Sequence, residues 1–529
     1  MSTRFAYPRY PHHRPAARDG SAPVVIVGGG VVGLTLALDL ARHGVRTVLL
    51  DEDDTVSVGS RAICWSKRSL EIYDRLGLGG PLLDKGVTWK LGKVYLGETL
   101  AYAFDLLPEA GHKMPAFVNL QQYWLEAWLV EACRDTGSVE LCFGNRVTRV
   151  EAGPSSVTLE VEAADGSYRL EAGWLLACDG ARSTIRRELG LPFIGQEFQD
   201  RFLIADVVIE AADFPAERRF WFDPPFHPGQ SVLLHKQPDS IWRIDFQLGA
   251  AADAEAEKDP ARVAARIRAM LGPSVAFELD WVSVYSFRCR RLERFRHGQI
   301  LFVGDSAHQV SPFGARGGNG GVQDADNLAW KLAAVLDGRA PESLLDSYDA
   351  ERIPAADENI LHSTRATDFI SPKGEAARAL RDAVLLLAGE HPFARAMVNA
   401  GRLSTPHAYR DTPLSTPDAE PWPGGPAPGD PLPDAPLPEG GHLLERLGGR
   451  PILLRFDPGP PLALPGLEEC RLRPEGLVFE RLGGVPGSAF LVRPDQHLAA
   501  RFATPEPTRV EAALARLWGK APAATAESR

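Results

Sequence analysis

The chain has 529 residues, 24% of them charged, 44% hydrophobic and with a formal net charge of −11. That is an ordinary globular balance and enough length for roughly two to four domains. The acidic surplus excludes a sequence-independent nucleic-acid binder, which needs basic residues to neutralise phosphates, and no apolar run approaches the ~20 residues of a membrane span.

Residues 1–22 are rich in Pro and Arg and lack the apolar core of a signal peptide, so they read as a flexible or surface-draped tail. The adjacent His12 and His13 read as a solvated pair. Val24–Gly33 (VVIVGGGVVG) is a buried-type strand that ends in Gly28-x-Gly30-x-x-Gly33 and opens an apolar helix over Val31–His43, capped by Gly44. Strand, glycine turn and helix N-terminus together form a dinucleotide pyrophosphate site. The first glycine permits the turn, the second admits the phosphate, and the third lets helix pack on strand. The next strand, Thr47–Leu50, ends at Asp51, an acid placed for a ribose. The motif alone does not separate NAD from FAD.

Further along, Ser66–Leu76 reads as a helix, residues 86–104 as strands and Asn119–Asp135 as an amphipathic helix. Val147–Val150, Val157–Val161 and Tyr168–Leu170 suggest a meander with Asp165-Gly166 at a hairpin turn, and Trp174–Ala177 a further strand. From 198 to 290 the character becomes antiparallel: Phe202–Ile209, Ser231–His235, Ile241–Leu248 and Trp281–Phe287 are strand-like, with one helix near Pro260–Met270. Ile300–Val303 is again a short buried strand, and a strong helix is expected from about Gly321 to Leu336. Residues 404–441, loaded with Pro and Gly, read as a linker or extended strap. Pro451–Phe456, Leu477–Glu480, Ser488–Val492 and a helix near Thr508–Leu517 form a small final unit. The six cysteines (Cys64, Cys133, Cys142, Cys178, Cys289 and Cys470) include no CxxC and no metal-ligand spacing, so free thiols in a reducing cytoplasm and no metal are expected.

Three separated segments carry the chemistry: the Gly28–Gly33 turn; Cys178-Asp179-Gly180-Ala181-Arg182-Ser183 with Arg186; and Gly304-Asp305-Ser306-Ala307-His308 running into Pro312-Phe313-Gly314-Ala315-Arg316-Gly317-Gly318-Asn319. Over residues 23–400 this trio resembles the single-component FAD-dependent aromatic hydroxylases, the class of p-hydroxybenzoate hydroxylase and phenol hydroxylase. Arg61 in Ser60-Arg61-Ala62 and Gln122 followed by Leu125-Glu126 extend the resemblance.

The resemblance implies an α/β (α+β) fold: a Rossmann-type FAD-binding domain in two parts (23–197 and 291–403), with substrate-domain strands near 86–118 and an inserted antiparallel-sheet substrate domain (198–290). The linker 404–441 would lead to a thioredoxin-like domain (442–529) that lacks CxxC and so cannot exchange disulfides. It further implies that Asp305 binds the ribityl or pyrophosphate region and that Asp179 serves both FAD and NAD(P)H. Arg61, Gln122, Pro312, Gly317, Gly318 and Asn319 would lie on FAD, with the Val147 backbone at the adenine. Gln122 has the alternative of a surface helix residue.

The loop before the long helix would aim free N–H groups and a positive dipole end at a reduced flavin. Related enzymes usually have Gly-Gln-Gly where this chain has Ala315-Arg316-Gly317, so Arg316 either faces the ring as a fixed cation or faces solvent. The implied reaction uses NAD(P)H and O2 to hydroxylate a phenol-like substrate through a C4a-hydroperoxyflavin. Tyr285 would assist phenol deprotonation or act as an aromatic plug. His308 would relay a proton or be a strand-end histidine satisfied by backbone. His235, Trp242 and Arg243 would line the substrate pocket, with a surface position as the alternative for Arg243.

Phe302-x-Gly304-x-x-x-His308-x-x-x-Pro312 also fits the Baeyer–Villiger monooxygenase fingerprint, but only one GxGxxG accompanies it. Baeyer–Villiger or epoxidation chemistry on a polyketide-like substrate is the alternative reading, and a flavin-free NAD-dependent dehydrogenase a more distant one. A cytoplasmic homodimer acting on a small aromatic compound, with neither nucleic acid nor membrane as partner, completes the expectation.

Overall fold

Ser21–Val27 is rich in Val and Ile and buried from Val24 onward, as a strand covered on both faces must be. The computed structural model, which describes residues 5–16, 21–59, 61–209, 215–249, 252–398, 405–457 and 459–520, places this strand inside an eight-stranded sheet. The order along its main path is Arg296–His297, Ile300–Phe302, Tyr168–Ala177, Ser21–Val27, Thr47–Leu50 and Val139–Cys142, and the last five run parallel. Tyr168–Ala177 is one ten-residue strand rather than two pieces, because its outer half pairs with Val157–Ala163 while its inner half lies between two parallel neighbours.

The helix after the glycine-rich loop spans Gly317–Leu336 and starts four residues before the expected Gly321. Glycine is a poor helix former, yet close packing requires it here. A Cβ on Gly321 would lie 2.5 Å from Val32 Cγ2 and 3.2 Å from the Gly304 Cα.

A second eight-stranded sheet stands beside the first. Its order is His308–Gln309, Glu278–Leu292, Phe193–Val208, Ile241–Leu248, Ser231–Lys236, Arg218–Phe222, Leu91–Leu96 and Thr99–Asp105. Helix Pro260–Leu271 covers one face through Val263 and Ile267. The strand Arg218–Phe222 escapes the hydrophobic pattern because it is short and opens on two arginines.

The N-terminal segment is draped rather than free. Tyr10 is buried and stacks on Phe143 with ring centroids 4.3 Å apart, and Arg14 Nε donates to Asp165 Oδ1 at 2.9 Å. Of the two histidines expected to be solvated, His13 is exposed and His12 is half-buried, and both have neighbours. His12 Nε2 lies 3.1 Å from Asp165 Oδ1, and His13 Nε2 lies 3.6 Å from Cys142 Sγ with Glu140 beside it. The expected tail residues 1–4 and 17–20 and the last residues 521–529 lie outside the described residues.

Residues 405–441 form an extended strap that buries Tyr409, Leu414 and Leu432. It leads to a four-stranded sheet ordered Glu468–Arg471, Ile452–Arg455, Ala489–Val492 and Leu498–Phe502, packed on helix Pro507–Leu517. Buried charges fasten this unit to the rest. Arg493 donates to both oxygens of Glu351 at 2.6 and 2.8 Å and to Asp495, while Lys331 Nζ reaches Glu351 at 2.7 Å. Arg68 Nη2 donates to the Asp495 carbonyl at 2.6 Å. Burial lowers Lys331 to about 8; burial works to raise Glu351, but Arg493 and Lys331 outweigh it and hold that carboxylate well below its usual range. Among the described residues, no helix is long and apolar enough to cross a membrane, and all six cysteines are free.

Candidate active site

The register of the parallel strands sets the site. Val27 pairs with Ala177, and Ala177 pairs with Phe302, so three strands end side by side, about 4.8 Å apart. Gly28, Cys178-Asp179 and Gly304-Asp305 follow directly, on the edge where parallel α/β sheets bind ligands. The turns touch. A Cβ on Gly28 would lie 2.3 Å from the Cys178 carbonyl oxygen, and one on Gly33 would lie 2.0 Å from the Gly28 carbonyl oxygen. Gly28 has φ +112°, open to glycine and little else. A Cβ on Gly304 would press on Val32, which joins the third turn to the first helix.

Each turn presents an acid. Asp51 accepts from the backbone N–H of Gly29 and, at 2.8 Å, from that of Asp53; burial raises it to about 6. Asp179 accepts from Ile185 N at 3.0 Å, and its buried Oδ1 has no partner among the described residues. Asp305 sits deep in the cleft yet stays open to it, raised by burial while His308 and Arg61 act against the rise. Burial raises Glu126 as well, with Gln122, Ser57 and Arg61 acting against the rise, so Arg61 lies near both Glu126 and Asp305. Val147 lies near Asp51, because Asn145 N, two residues before it, donates to the Asp51 carbonyl at 2.7 Å.

Gln122 is no surface residue. Buried at the start of helix Gln122–Asp135, it accepts from Ala62 N at 3.0 Å and donates to Glu126 at 2.7 Å, which fixes the loop carrying Arg61. Glu126 in turn accepts from Val31 N, at the N-terminus of the first helix, at 3.1 Å.

Helix Gly317–Leu336 opens with Gly317, Gly318 and Asn319, first-turn amides that have no carbonyl one turn back within the helix. The Asn319 side chain is occupied otherwise: it accepts from Ser66 N and donates to the Cys64 and Ala315 carbonyls, so only its backbone N–H is available to a ligand. Arg316 does not face solvent. It is buried, turns back over Gly314 and donates to Asn359 Oδ1 at 3.3 Å, with burial lowering it to about 10.

His308 is satisfied by a carboxylate rather than by backbone. Its Nε2 donates to Asp324 Oδ2 at 2.6 Å. Burial works to raise Asp324, but His308 and Arg352 outweigh it and hold it at about 2. A histidine donating to so firmly ionised an acid is braced in place.

Opposite the strand ends lies the inner face of the second sheet. Alternation along Ile241–Leu248 sends Arg243, Asp245 and Gln247 to this face and Trp242, Ile244 and Phe246 to the helix Pro260–Leu271. Trp242 therefore packs in the far core and does not line the pocket. Arg243 is buried rather than on the surface, and its fork is engaged: it grips both oxygens of Asp206 at 2.9 and 3.2 Å and donates to the Arg61 carbonyl at 3.0 Å. It positions the Arg61 loop instead of waiting for a substrate carboxylate.

His235 and Tyr285 share the inner face. Burial lowers His235 well below its usual range, with Arg218 and Arg243 adding to the effect. Burial and Asp245 hold the Tyr285 hydroxyl well above its range, so it is a donor and not a base. Sequence reading missed Asp245, although it stands two residues past Arg243 and must share its face. Burial raises Asp245 to about 6, against the pull of Arg243, and its buried Oδ1 has no partner among the described residues.

The residues fit a dinucleotide carrying a redox-active ring. Glycines make a cradle that Cβ atoms would fill, acids stand just past the ends of three strands of one sheet, Asp179 keeps an unpartnered oxygen, and a helix N-terminus faces the same cleft.

Known proteins agree with this geometry. Residues 21–363 match the family described as FAD binding domain. A 3-(3-hydroxy-phenyl)propionate/3-hydroxycinnamic acid hydroxylase of Mycolicibacterium smegmatis is 32% identical over 366 residues, which are 69% of this chain and 64% of that protein. A 6-methylpretetramide 4-monooxygenase of Streptomyces rimosus is 35% identical over 413 residues, 76% of this chain and 72% of that one. The crystal structure of the flavin-dependent monooxygenase PieE in complex with FAD and substrate shares the fold, with a TM-score of 0.78 at 23% identity, covering 95% of this chain and 100% of its own.

Proposed function

The chain belongs to the FAD-binding family of single-component flavoprotein monooxygenases, and from that premise we propose that it uses NAD(P)H and O2 to hydroxylate a phenol-like aromatic compound. The observation that carries the proposal is the register Val27–Ala177–Phe302, which lines up Gly28, Asp179 and Asp305 opposite a sheet face bearing an unpartnered acid. Bound FAD, reduced by NAD(P)H, would supply the activated oxygen.

The chain's own groups have the following roles. The amides after Gly28, with Gly30 and Gly33 clearing the approach, hold the pyrophosphate, and Asp51 holds the adenosine ribose near the Val147 backbone. Arg61, steadied by Gln122, offsets phosphate charge, while Asp305 and Asp179 bind the ribityl side. Pro312 shapes the loop that brings the Gly317, Gly318 and Asn319 amides to the ring, where they favour the negative charge of the reduced form. Arg316 adds positive charge at the same helix end from its place against Asn359, and braced His308 fixes the loop between them.

On the substrate side, Asp245 Oδ1 accepts the proton of the phenol, and an acid raised to about 6 is suited to that task near neutrality. The Tyr285 hydroxyl donates to the substrate oxygen, and His235, neutral in its surroundings, lines the wall. The apolar residues around them exclude water from the reacting centre. The match to 6-methylpretetramide 4-monooxygenase favours, as a second reading, the same chemistry on a larger fused-ring compound.

The six free cysteines are in keeping with a cytoplasmic location. Exposed Leu380, Leu386, Phe393 and Met397 support the expected homodimer. The topology of the C-terminal sheet supports a thioredoxin-like unit with a structural role. The test is whether protein purified with FAD oxidises NAD(P)H faster when phenols are added and returns them hydroxylated. Oxidation indifferent to every phenol would reject the proposal.

A further inference from the structure

We infer that the substrate carries an ionised oxygen besides the position to be hydroxylated, and that Arg218 and Tyr102 form the subsite that binds it. This rests on the hydroxylase reading and extends it to the class of substrate.

A narrow, aromatic-walled slot, open to solvent at its outer end, runs from the cofactor loop, at Phe313 and Gly314, outward between the second sheet and helix Asp346–Ile370. Strand alternation sends Arg218, Phe220 and Phe222 into it, while Arg219 turns the other way to Glu217 at 2.8 Å. From the neighbouring hairpin come Tyr102 and Phe104. The Phe104 ring lies against Gly92, where a Cβ would stand 2.1 Å from it.

Two polar groups in this apolar slot lack protein partners. The Arg218 guanidinium makes no hydrogen bond or ion pair among the described residues, although Asp245 and Cys64 are near enough to influence it. The other acid close by in sequence, Glu217, is engaged by Lys93 at 2.9 Å and by Arg219. The Tyr102 hydroxyl is buried, with the side chain 7% exposed, and has no partner either; Tyr102 and Arg218 sense each other. A half-buried guanidinium with free donors among apolar walls is stabilised when an anion completes it. A guanidinium beside a hydroxyl donor suits a carboxylate, or an equally acidic phenolate or enolate, in two-point contact. Flat apolar walls on either side select an aromatic body.

The experiment uses the FAD-loaded full chain and three probes: 3-(3-hydroxyphenyl)propionate, its neutral methyl ester, and 4-nitrophenol above its pKa. Binding is read from the perturbation of the flavin spectrum, and turnover from NAD(P)H oxidation. The anions are expected to bind at least tenfold tighter than the ester. Preference for the propionate alone identifies a carboxylate; preference shared with 4-nitrophenolate identifies any ionised oxygen. Arg218→Met should abolish the preference, and Arg218→Lys should retain part of it. Tyr102→Phe should weaken the anions several-fold and the ester little, mainly in KM. An ester bound as tightly as the acids, or an anion preference that survives in a folded, FAD-loaded Arg218→Met, overturns the inference. Charge-selective binding without any turnover would support the subsite and reject the hydroxylase reading instead.

Discussion

Gly28 and Cys178 come from strands 150 residues apart in sequence yet meet so closely that a Cβ on Gly28 would stand 2.3 Å from the Cys178 carbonyl oxygen. Backbone meets backbone here, so no side-chain motion can relieve the clash. Gly28→Ala is therefore expected to separate the two turns and weaken FAD binding by roughly 2 kcal/mol or more, over tenfold in Kd. Flavin retained per protein after gel filtration reads this directly. Gly180→Ala is also strained by its positive φ but meets nothing within 4 Å, and should retain more flavin.

Asp245 gives the site a pH signature. Raised from 3.8 to about 6, it is protonated below that range and accepts a phenol proton above it. kcat/KM should fall on the acid side with an apparent pKa near 6, and Asp245→Asn should lose that limb and most of the activity. Stability should move the other way. Folding favours the protonated acid, so the penalty of the charged form is absent below the unfolded value and complete above the folded one. Asp245→Asn should thus be more stable than the parent at neutral pH, by up to roughly 3 kcal/mol, with the advantage fading as pH falls from 6 to below 4. Thermal melts across pH test the sign.

Sequence and structure agree best where one physical rule decides. The Gly28–Gly33 turn, Asp51 and the pairing of Asp179 with Asp305 were legible because strand ends and glycine turns have no other economical arrangement. Trp242 was misplaced because its face depends on the phase of the strand, which pattern alone leaves open until a neighbour is known. Asp245 follows from the same phase once Arg243 is seen to point inward. Gly317–Gly321 looked like loop because glycine propensity argues against helix, and only the close contact of Gly321 with Val32 reverses that. Arg218 was hidden in a short strand that opens on two arginines, and Asp324 and Arg352 in two separate helices whose patterns show nothing of their mutual burial.

Arg243 tests whether the sheet face and the cofactor loop are coupled. Removing its charge in Arg243→Met takes the guanidinium from the buried Asp206 carboxylate, which keeps the Gln237 amide at 3.2 Å but loses its ion pair; this should cost about 3–5 kcal/mol and frees the Arg61 carbonyl. FAD affinity should fall along with stability. A second change, Asp206→Leu, should restore most of the stability without restoring the FAD affinity, which thermal melts and flavin titration separate.

Arg493 holds the C-terminal unit through Glu351 and Asp495. Arg493→Ala leaves both acids buried beside Lys331, and should lower stability by about 3–5 kcal/mol while leaving the residues of the flavin cleft in place. A two-step melt, or protease cleavage within residues 405–441, would report the unit coming away first.

In the proposed reaction, three strand ends hold one flavin beside a pocket where oxygen enters an aromatic ring. Its most direct test is turnover of a phenolic acid by the FAD-loaded protein with NAD(P)H under ¹⁸O2, followed by mass analysis of the product. One labelled oxygen is expected on the ring of each product molecule, with NAD(P)H consumed in proportion. Product oxygen derived from water, or NAD(P)H oxidation yielding only peroxide from every phenol, would contradict it.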